Sequence, residues 1–132
     1  MGTVIRVKCS DCGLDKTFRV GSGMQFNNLE KVLPLFDKNT AEKITEYLNG
    51  NSGCLWYVVN NIGFCPECGQ FSVYPVFYST SREGKDIFLY SDCECGKRPV
   101  LLDIETVLDG TKEIPCPKCN NNLIISPEGI WD

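Results

Sequence analysis

Along the first twenty residues, apolar and β-branched positions are interleaved with polar ones. Thr3-Val4-Ile5-Arg6-Val7 and Thr17-Phe18-Arg19-Val20 read as two strands, with Cys9-Ser10-Asp11-Cys12-Gly13 as the turn between them. Gly21-Ser22-Gly23 breaks the pattern. Paired glycines can cradle a phosphate, but no strand-to-helix fingerprint with an acidic partner follows, so a turn is expected. Across 28–49 the period lengthens. Leu29, Val32, Leu33 and Phe36 fall at i, i+3, i+4 and i+7, and Ala41, Ile44 and Leu48 continue the apolar stripe of a helix. Pro34 is incompatible with a helix interior, which predicts two short helices or a kink. Asn39 with Glu42 reads as a capping box for the second helix and Gly50 as its stop. The charges here, Glu30, Lys31, Asp37, Lys38, Glu42, Lys43 and Glu46, are mixed in sign and read as a solvated face.

From Leu55 onward the pattern is β again. Leu55-Trp56-Tyr57-Val58-Val59, Phe71 to Tyr78, Ile87-Phe88-Leu89-Tyr90, Val100-Leu101-Leu102 and Leu123-Ile124-Ile125 are the strand candidates. Arg82-Glu83-Gly84-Lys85, Asp109-Gly110 and Ser126-Pro127-Glu128-Gly129 are the turn signals, the last turning a tail that carries Ile130 and Trp131. The predicted class is α+β and β-rich: hairpins with a short helical insertion. Residues 1–132 read as one compact unit with two lobes. Lobe 1 covers approximately 1–75, with the helical insertion 28–49, and lobe 2 approximately 76–132.

Composition excludes several classes. The 132 residues are 42% hydrophobic and 23% charged, ordinary for a folded chain. The longest apolar run, Cys54 to Val59, is far short of the roughly 20 residues that cross a bilayer. No charged-then-apolar leader opens the sequence, and Arg6 stands where a myristoylation motif after Met1-Gly2 wants Ser or Thr. A cytoplasmic protein with no membrane partner is expected. The absence of histidine removes the Ser-His-Asp triad, His-ligated zinc and an imidazole base.

Nine cysteines are the abnormal count. Eight form tight pairs, Cys9/Cys12, Cys65/Cys68, Cys93/Cys95 and Cys116/Cys119, and Cys54 stands alone. Each pair is followed by a residue that tolerates positive φ: Gly13, Gly69, Gly96 and Asn120. Such a turn aims backbone N–H groups at thiolate sulfurs. Pro66 and Pro117 stiffen two of the turns. The odd count and the expected reducing compartment disfavour disulfides, and a redox Cys-x-x-Cys would open a helix in a βαβ unit. Metal remains: two ions per chain, with zinc favoured by soft thiolates in a tetrahedral set and iron its rival, so the expected fold is zinc-ribbon hairpins with zinc knuckles and the two lobes are zinc lobes.

Four knuckles pair into two sites in three ways. Sequential pairing is favoured, because the 20 residues between Cys95 and Cys116 match the usual ribbon gap of roughly 15–20. It joins Cys9/Cys12 to Cys65/Cys68 across 52 residues. Cys65/Cys68 with Cys93/Cys95 stays open as the rival, since a hairpin between them would bring its ends together. A cross-braced arrangement comes third. Either way each site is closed by four sulfurs, which makes it structural rather than catalytic. Cys54, followed directly by an apolar run, reads as a buried structural residue at the start of a core strand.

Residues 1–75 resemble small cytoplasmic zinc-ribbon proteins of bacteria, of unassigned function. The resemblance rests on the Met-Gly start, the early Cys9-x-x-Cys12, Gly21-Ser22-Gly23-Met24, and a helical insertion before Cys65-Pro66-Glu67-Cys68-Gly69. It implies pairing of the first two knuckles. The shortened Cys93-Glu94-Cys95 departs from it.

Three functional classes follow. A non-enzymatic module presenting a surface to another protein leads, since no catalytic constellation is legible. A nucleic-acid-binding ribbon is the alternative, with Phe71, Tyr74, Phe77, Tyr78, Phe88 and Tyr90 as candidates to stack bases. Two observations weigh against it: strand aromatics in a small protein are mostly core, and Lys+Arg 13 against Asp+Glu 17 gives a net charge of −4. Lys97-Arg98 and the group Arg6, Lys8, Lys16 and Arg19 are the basic candidates, the latter read as offsetting thiolate charge. A metal or redox sensor comes third.

Overall fold

In the computed structural model, the alternating segments form one antiparallel sheet. The structure describes residues 2–69, 71–102, 105, 108–109, 114–116 and 118–131; Met1, Gly110 and Pro117 of the motifs above lie outside them. The strands are β1 (Gly2–Lys8), β2 (Asp15–Gly21), β3 (Trp56–Phe64), β4 (Phe71–Thr80), β5 (Asp86–Tyr90), β6 (Val100–Leu101) and β7 (Ile124–Trp131). Their spatial order is β5-β4-β3-β2-β1-β7, with β6 beside the far end of β3. The sheet is two ribbons joined at a narrow seam. β2 meets β3 through one residue pair, Gly21 with Asn60, backed by the Asn60 side-chain amide donating to the Arg19 carbonyl. One core nevertheless crosses it: Ile5, Val7 and Val20 pack with Ile62, Phe71, Leu102 and Ile114.

The helical insertion covers one face of the β3-β4-β5 ribbon. Short 3₁₀ turns at Met24–Asn27 and Leu33–Leu35 flank α1 (Leu29–Val32), and α2 spans Lys38–Gly50. Pro34 sits in the second 3₁₀ turn, so two short helices is the outcome. Val32, Phe36 and Ile44 pack on Val58 and Phe77, with Trp56 and Leu89 at the margin. Tyr47 stands edge-on to Phe77 while its hydroxyl donates to Ser79 Oγ at 2.9 Å, so its polar tip is satisfied within the interface.

Three local expectations are corrected. The cap of α2 is Asp37, not Asn39: its carboxylate accepts from Thr40 N at 2.8 Å. Buried Phe36, just before the cap, shares a cluster with Ala41 and fixes where the chain enters the helix. Gly50 is the last helical residue rather than the stop; the positive φ falls at Gly53, at 87°. Ser126-Pro127-Glu128-Gly129 does not turn the tail. It runs inside β7 as a bulge, with Ile5 opposite Pro127 and Val4 opposite Gly129, so Glu128 is the extra residue. A bulge is where a strand accommodates a proline.

Gly2 has a structural reason beyond its place after Met1. A Cβ there would overlap the Trp131 indole and the Val20 carbonyl. That indole donates from Nε1 to the same carbonyl at 2.9 Å, which ties β7 across β1 to β2.

Candidate metal centres

Each cysteine pair occupies a strand end. Cys9/Cys12 lies in the β1–β2 turn, and Cys116/Cys119 precedes β7. Because β7 is antiparallel to β1 with Lys8 opposite Ile124, the two knuckles meet at one end of that ladder. Cys65/Cys68 lies in the β3–β4 turn and Cys93/Cys95 follows β5. The meander β3-β4-β5 brings the end of β5 back beside the start of β4, and these two knuckles meet in turn.

Two groups of four cysteines result: Cys9, Cys12, Cys116 and Cys119 in the first tetrad, and Cys65, Cys68, Cys93 and Cys95 in the second. Sequential pairing is thereby overturned, as is the pairing of the first two knuckles implied by the resemblance. The hairpin rival for the second tetrad is what the structure contains. Strand order, not chain separation, decided the matter: closing a longer loop costs only about 0.6 kcal/mol per doubling, which a strand ladder readily outweighs.

The sulfur geometry fits one metal per tetrad. The short edges are Cys9–Cys119 at 3.3 Å, Cys12–Cys116 at 3.5 Å, Cys65–Cys95 at 3.4 Å and Cys68–Cys93 at 3.5 Å. Within each tetrad all sulfurs lie within 4.8 Å of one another. A tetrahedron of metal–sulfur bonds near 2.3 Å has edges of about 3.8 Å. Disulfide sulfurs would stand about 2.05 Å apart, and none of the nine cysteines is in a disulfide.

The turns do what the four following residues predict. Gly13, Gly69, Gly96 and Asn120 all have positive φ, at 77°, 69°, 89° and 67°. Three of them donate to the carbonyl of the first cysteine four residues back: Gly13 to Cys9, Gly69 to Cys65 and Asn120 to Cys116. Gly96 donates to Cys93, three residues back, so the shortened Cys-x-Cys closes the same turn with one residue fewer.

Backbone N–H groups consequently line the sulfurs, and the thiol acidities follow. The amides of Cys12 and Asp11 lower Cys9, and chiefly that of Cys68 brings Cys65 down to about 6. Burial opposes the same effect at Cys116, yet the amides of Cys119 and Lys118 hold it at about 7. Their neighbours move the other way. At Cys119 the Asn121 N–H favours the thiolate, but the proton shared with Cys9 and burial push it up to about 12. Cys12 and Cys95 are raised for the same reason, against the amides of Leu14 and Lys97. Protons are thus shared among sulfurs that a cation would bind together, and metal binding would release them.

One residue at the site carries no sequence signal for it. Tyr74 of β4 is buried, and its hydroxyl bonds to Cys93. Burial, then the neighbouring thiolates, push that hydroxyl up to about 12, so it stays a donor. Gly63 of β3 makes room: a Cβ there would overlap the Val100 carbonyl and crowd the Tyr74 ring. The two tetrads are neighbours. Cys65, Pro66 and Gly69 face Pro115, Cys116, Lys118 and Asn120 across a cleft of about 320 Å³.

Other candidates fall elsewhere. Cys54 lies outside both tetrads and is half-buried rather than core, because it belongs to the turn after α2 and the adjacent Leu55 is 89% exposed. Arg6 does not offset thiolate charge. It makes a two-pronged bond to Asp15, at 2.9 and 2.7 Å. Arg98 lies over the Tyr90 ring and beside Asp92. Of the aromatics, Phe71, Tyr74 and Phe77 are buried, Tyr78 and Tyr90 are half-buried and Phe88 is exposed. No family model matches the chain, and comparison with curated proteins and with solved structures finds no match.

Proposed function

We propose that this chain is a zinc-binding, non-enzymatic module of zinc-ribbon type, with two structural four-cysteine sites, serving as a scaffold for another protein. The observation that carries the reading is the composition of the tetrads: four cysteine sulfurs each, close enough to surround one ion. A closed set of four thiolates leaves no position for water or substrate. Zinc suits it best, being d¹⁰ and content with tetrahedral sulfur. Cysteines gathered as metal ligands rather than in disulfides suit a reducing compartment such as the cytoplasm. No helix among the described residues is long and apolar enough to cross a membrane.

The nucleic-acid reading is second. The exposed rings of Tyr57 and Phe88 favour it and charge opposes it. Each zinc tetrathiolate carries −2, so two of them take the formal −4 to about −8.

Elemental analysis of untagged protein purified without chelator tests the metal half, with two zinc ions per chain expected. A ratio near zero in folded protein overturns it, and iron in place of zinc overturns the metal identity. Capture from the native cell with the metal-loaded chain tests the other half. A stoichiometric protein partner is expected; recovery of nucleic acid instead overturns the scaffold reading.

A further inference from the structure

One face of the β3-β4-β5 ribbon carries the helices, and the other carries aromatics. In register across the three strands, Tyr57 stands opposite Tyr78, and Tyr78 opposite Phe88. Tyr57 and Tyr78 are stacked, 5.1 Å apart and 12° from parallel, and Phe88 stands edge-on to Tyr78 at 5.3 Å. Tyr57 and Phe88 are each 57% exposed. With Leu55, Thr80 and Asp86 these rings line a cleft of about 550 Å³. Rings held in order at the surface of well-paired strands mark a recognition surface.

Charge and precedent identify the occupant. Two residues beyond Phe88 on the same strand face, Tyr90 already holds a cation: the Arg98 guanidinium lies 3.7 Å from its ring centroid. Asp86 bounds the aromatic row at one end. At the other, the chain runs on from Tyr90 at the end of β5 to Cys93, so the second tetrad bounds it there. The nearby hairpin turn adds Arg82, which donates to the Ser52 carbonyl, Glu83 and Lys85, so with Asp86 it is formally neutral. The acidity that favours a basic segment is that of the whole molecule, net −4.

We propose that the Tyr57–Tyr78–Phe88 face docks an arginine-bearing basic segment of a partner protein, its guanidinium groups stacking on the rings between Asp86 and the second tetrad. This deepens the scaffold reading and rests on it. The cation–π contacts give the face its selectivity, and the acidic charge of the whole molecule draws the segment in.

The test uses the full, metal-loaded chain and a fluorescent peptide of alternating glycine and arginine, with a glycine-glutamate peptide and oligo(dT) as comparators. Saturable binding of the arginine peptide is expected, with none of the glutamate peptide. Tyr57→Ser with Phe88→Ser should weaken it about tenfold or more, the scale of two lost cation–π contacts. Glu42→Gln with Glu46→Gln on α2, which removes two acidic charges away from the rings, should change it less than about twofold. If the serine pair fails to retain two metals, Tyr57→Leu with Phe88→Leu keeps the apolar area without the ring faces and should show the same loss.

Equal binding by wild type and ring variants would reduce the effect to bulk charge and overturn the proposal. Tighter binding of oligo(dT), lost in the same variants, would also overturn it, in favour of nucleic acid. A native partner still captured by the ring variants would sink this surface while leaving the scaffold reading intact.

Discussion

Tyr74 shows how much of a candidate metal centre can lie outside its cysteines. Its hydroxyl bonds to Cys93 from a buried position on β4 and so orients the sulfur. Tyr74→Phe keeps the ring and removes that donor. Metal affinity at the second tetrad is expected to fall by about 10–100-fold, the usual cost of losing such a support, with the first tetrad unchanged. Competition with a chromophoric chelator would resolve this as metal leaving one tetrad earlier than in wild type; a release profile unchanged from wild type would refute it. The eight clustered cysteines were legible from spacing, and their turns from Gly13, Gly69, Gly96 and Asn120, because positive φ is a property of single residues. Tyr74 was not, because its role depends on which strand lies beside which. Gly2 was half legible. Its neighbour in space, Trp131, comes from the other end of the chain, so its closeness was invisible along the sequence. Gly2→Ala should force the indole aside and cost about 1–3 kcal/mol, read as a lowered urea midpoint at constant metal content.

Among the elements, α2 ties the helical layer to the second metal centre. Asp37 caps the helix through Thr40 N, and its own N–H donates to Ser91 Oγ at 2.8 Å, two residues before Cys93. The helical stripe and the break at Pro34 were legible as periodicity; the cap was not. Asn39 with Glu42 satisfies the same pattern locally, and only the burial of Phe36 selects Asp37. Asp37→Ala should cost about 1 kcal/mol at neutral pH, measured as a lowered denaturation midpoint. The bonds from Thr40, side chain first and then backbone, hold the Asp37 carboxyl below its ordinary value. In that window the unfolded chain binds more protons than the folded one, so stability rises with pH. The cap's contribution is therefore complete above the ordinary carboxylate value, near 3.9, and is lost as pH falls through the lower folded value. The difference between wild type and Asp37→Ala is the quantity to follow, since protonation of thiolates releases metal from both alike. That difference should stay flat above about pH 5 and shrink below pH 4. A constant difference down to pH 2–3 would show that the carboxylate is not what caps the helix.

For the whole molecule, the decisive feature is that the two tetrads are nested. The first joins knuckles 104 and 110 residues apart at its short edges, and the second joins knuckles 25 and 30 apart, entirely inside the first. Spacing cannot reveal this, because the cost of closing a loop rises too slowly with length to discriminate. What discriminates is the bulged β7, read from sequence as a turned tail but in fact paired with β1 along its length. Once β7 lies on β1, the last knuckle can only meet the first. Paired substitutions test the consequence without coordinates. Cys9→Ser with Cys65→Ser damages both tetrads of the nested arrangement and should leave no tightly held zinc. Cys65→Ser with Cys93→Ser damages only the second and should leave one. Under sequential pairing the two results exchange places, because Cys9 and Cys65 would then share a site while Cys65 and Cys93 would not. Cobalt substitution supplies a readout independent of weighing zinc, since tetrahedral thiolate sites absorb strongly and each intact tetrad contributes its own band. One retained equivalent in the Cys65/Cys93 variant, with hydrogen exchange protection surviving in β1, β2 and β7, would also show that the outer ribbon holds its metal when the inner site is lost. Loss of both metals there and in the Cys9/Cys65 variant as well would instead mean that the seam at Gly21 and Asn60, with the core spanning it, couples the two ribbons into a single cooperative unit.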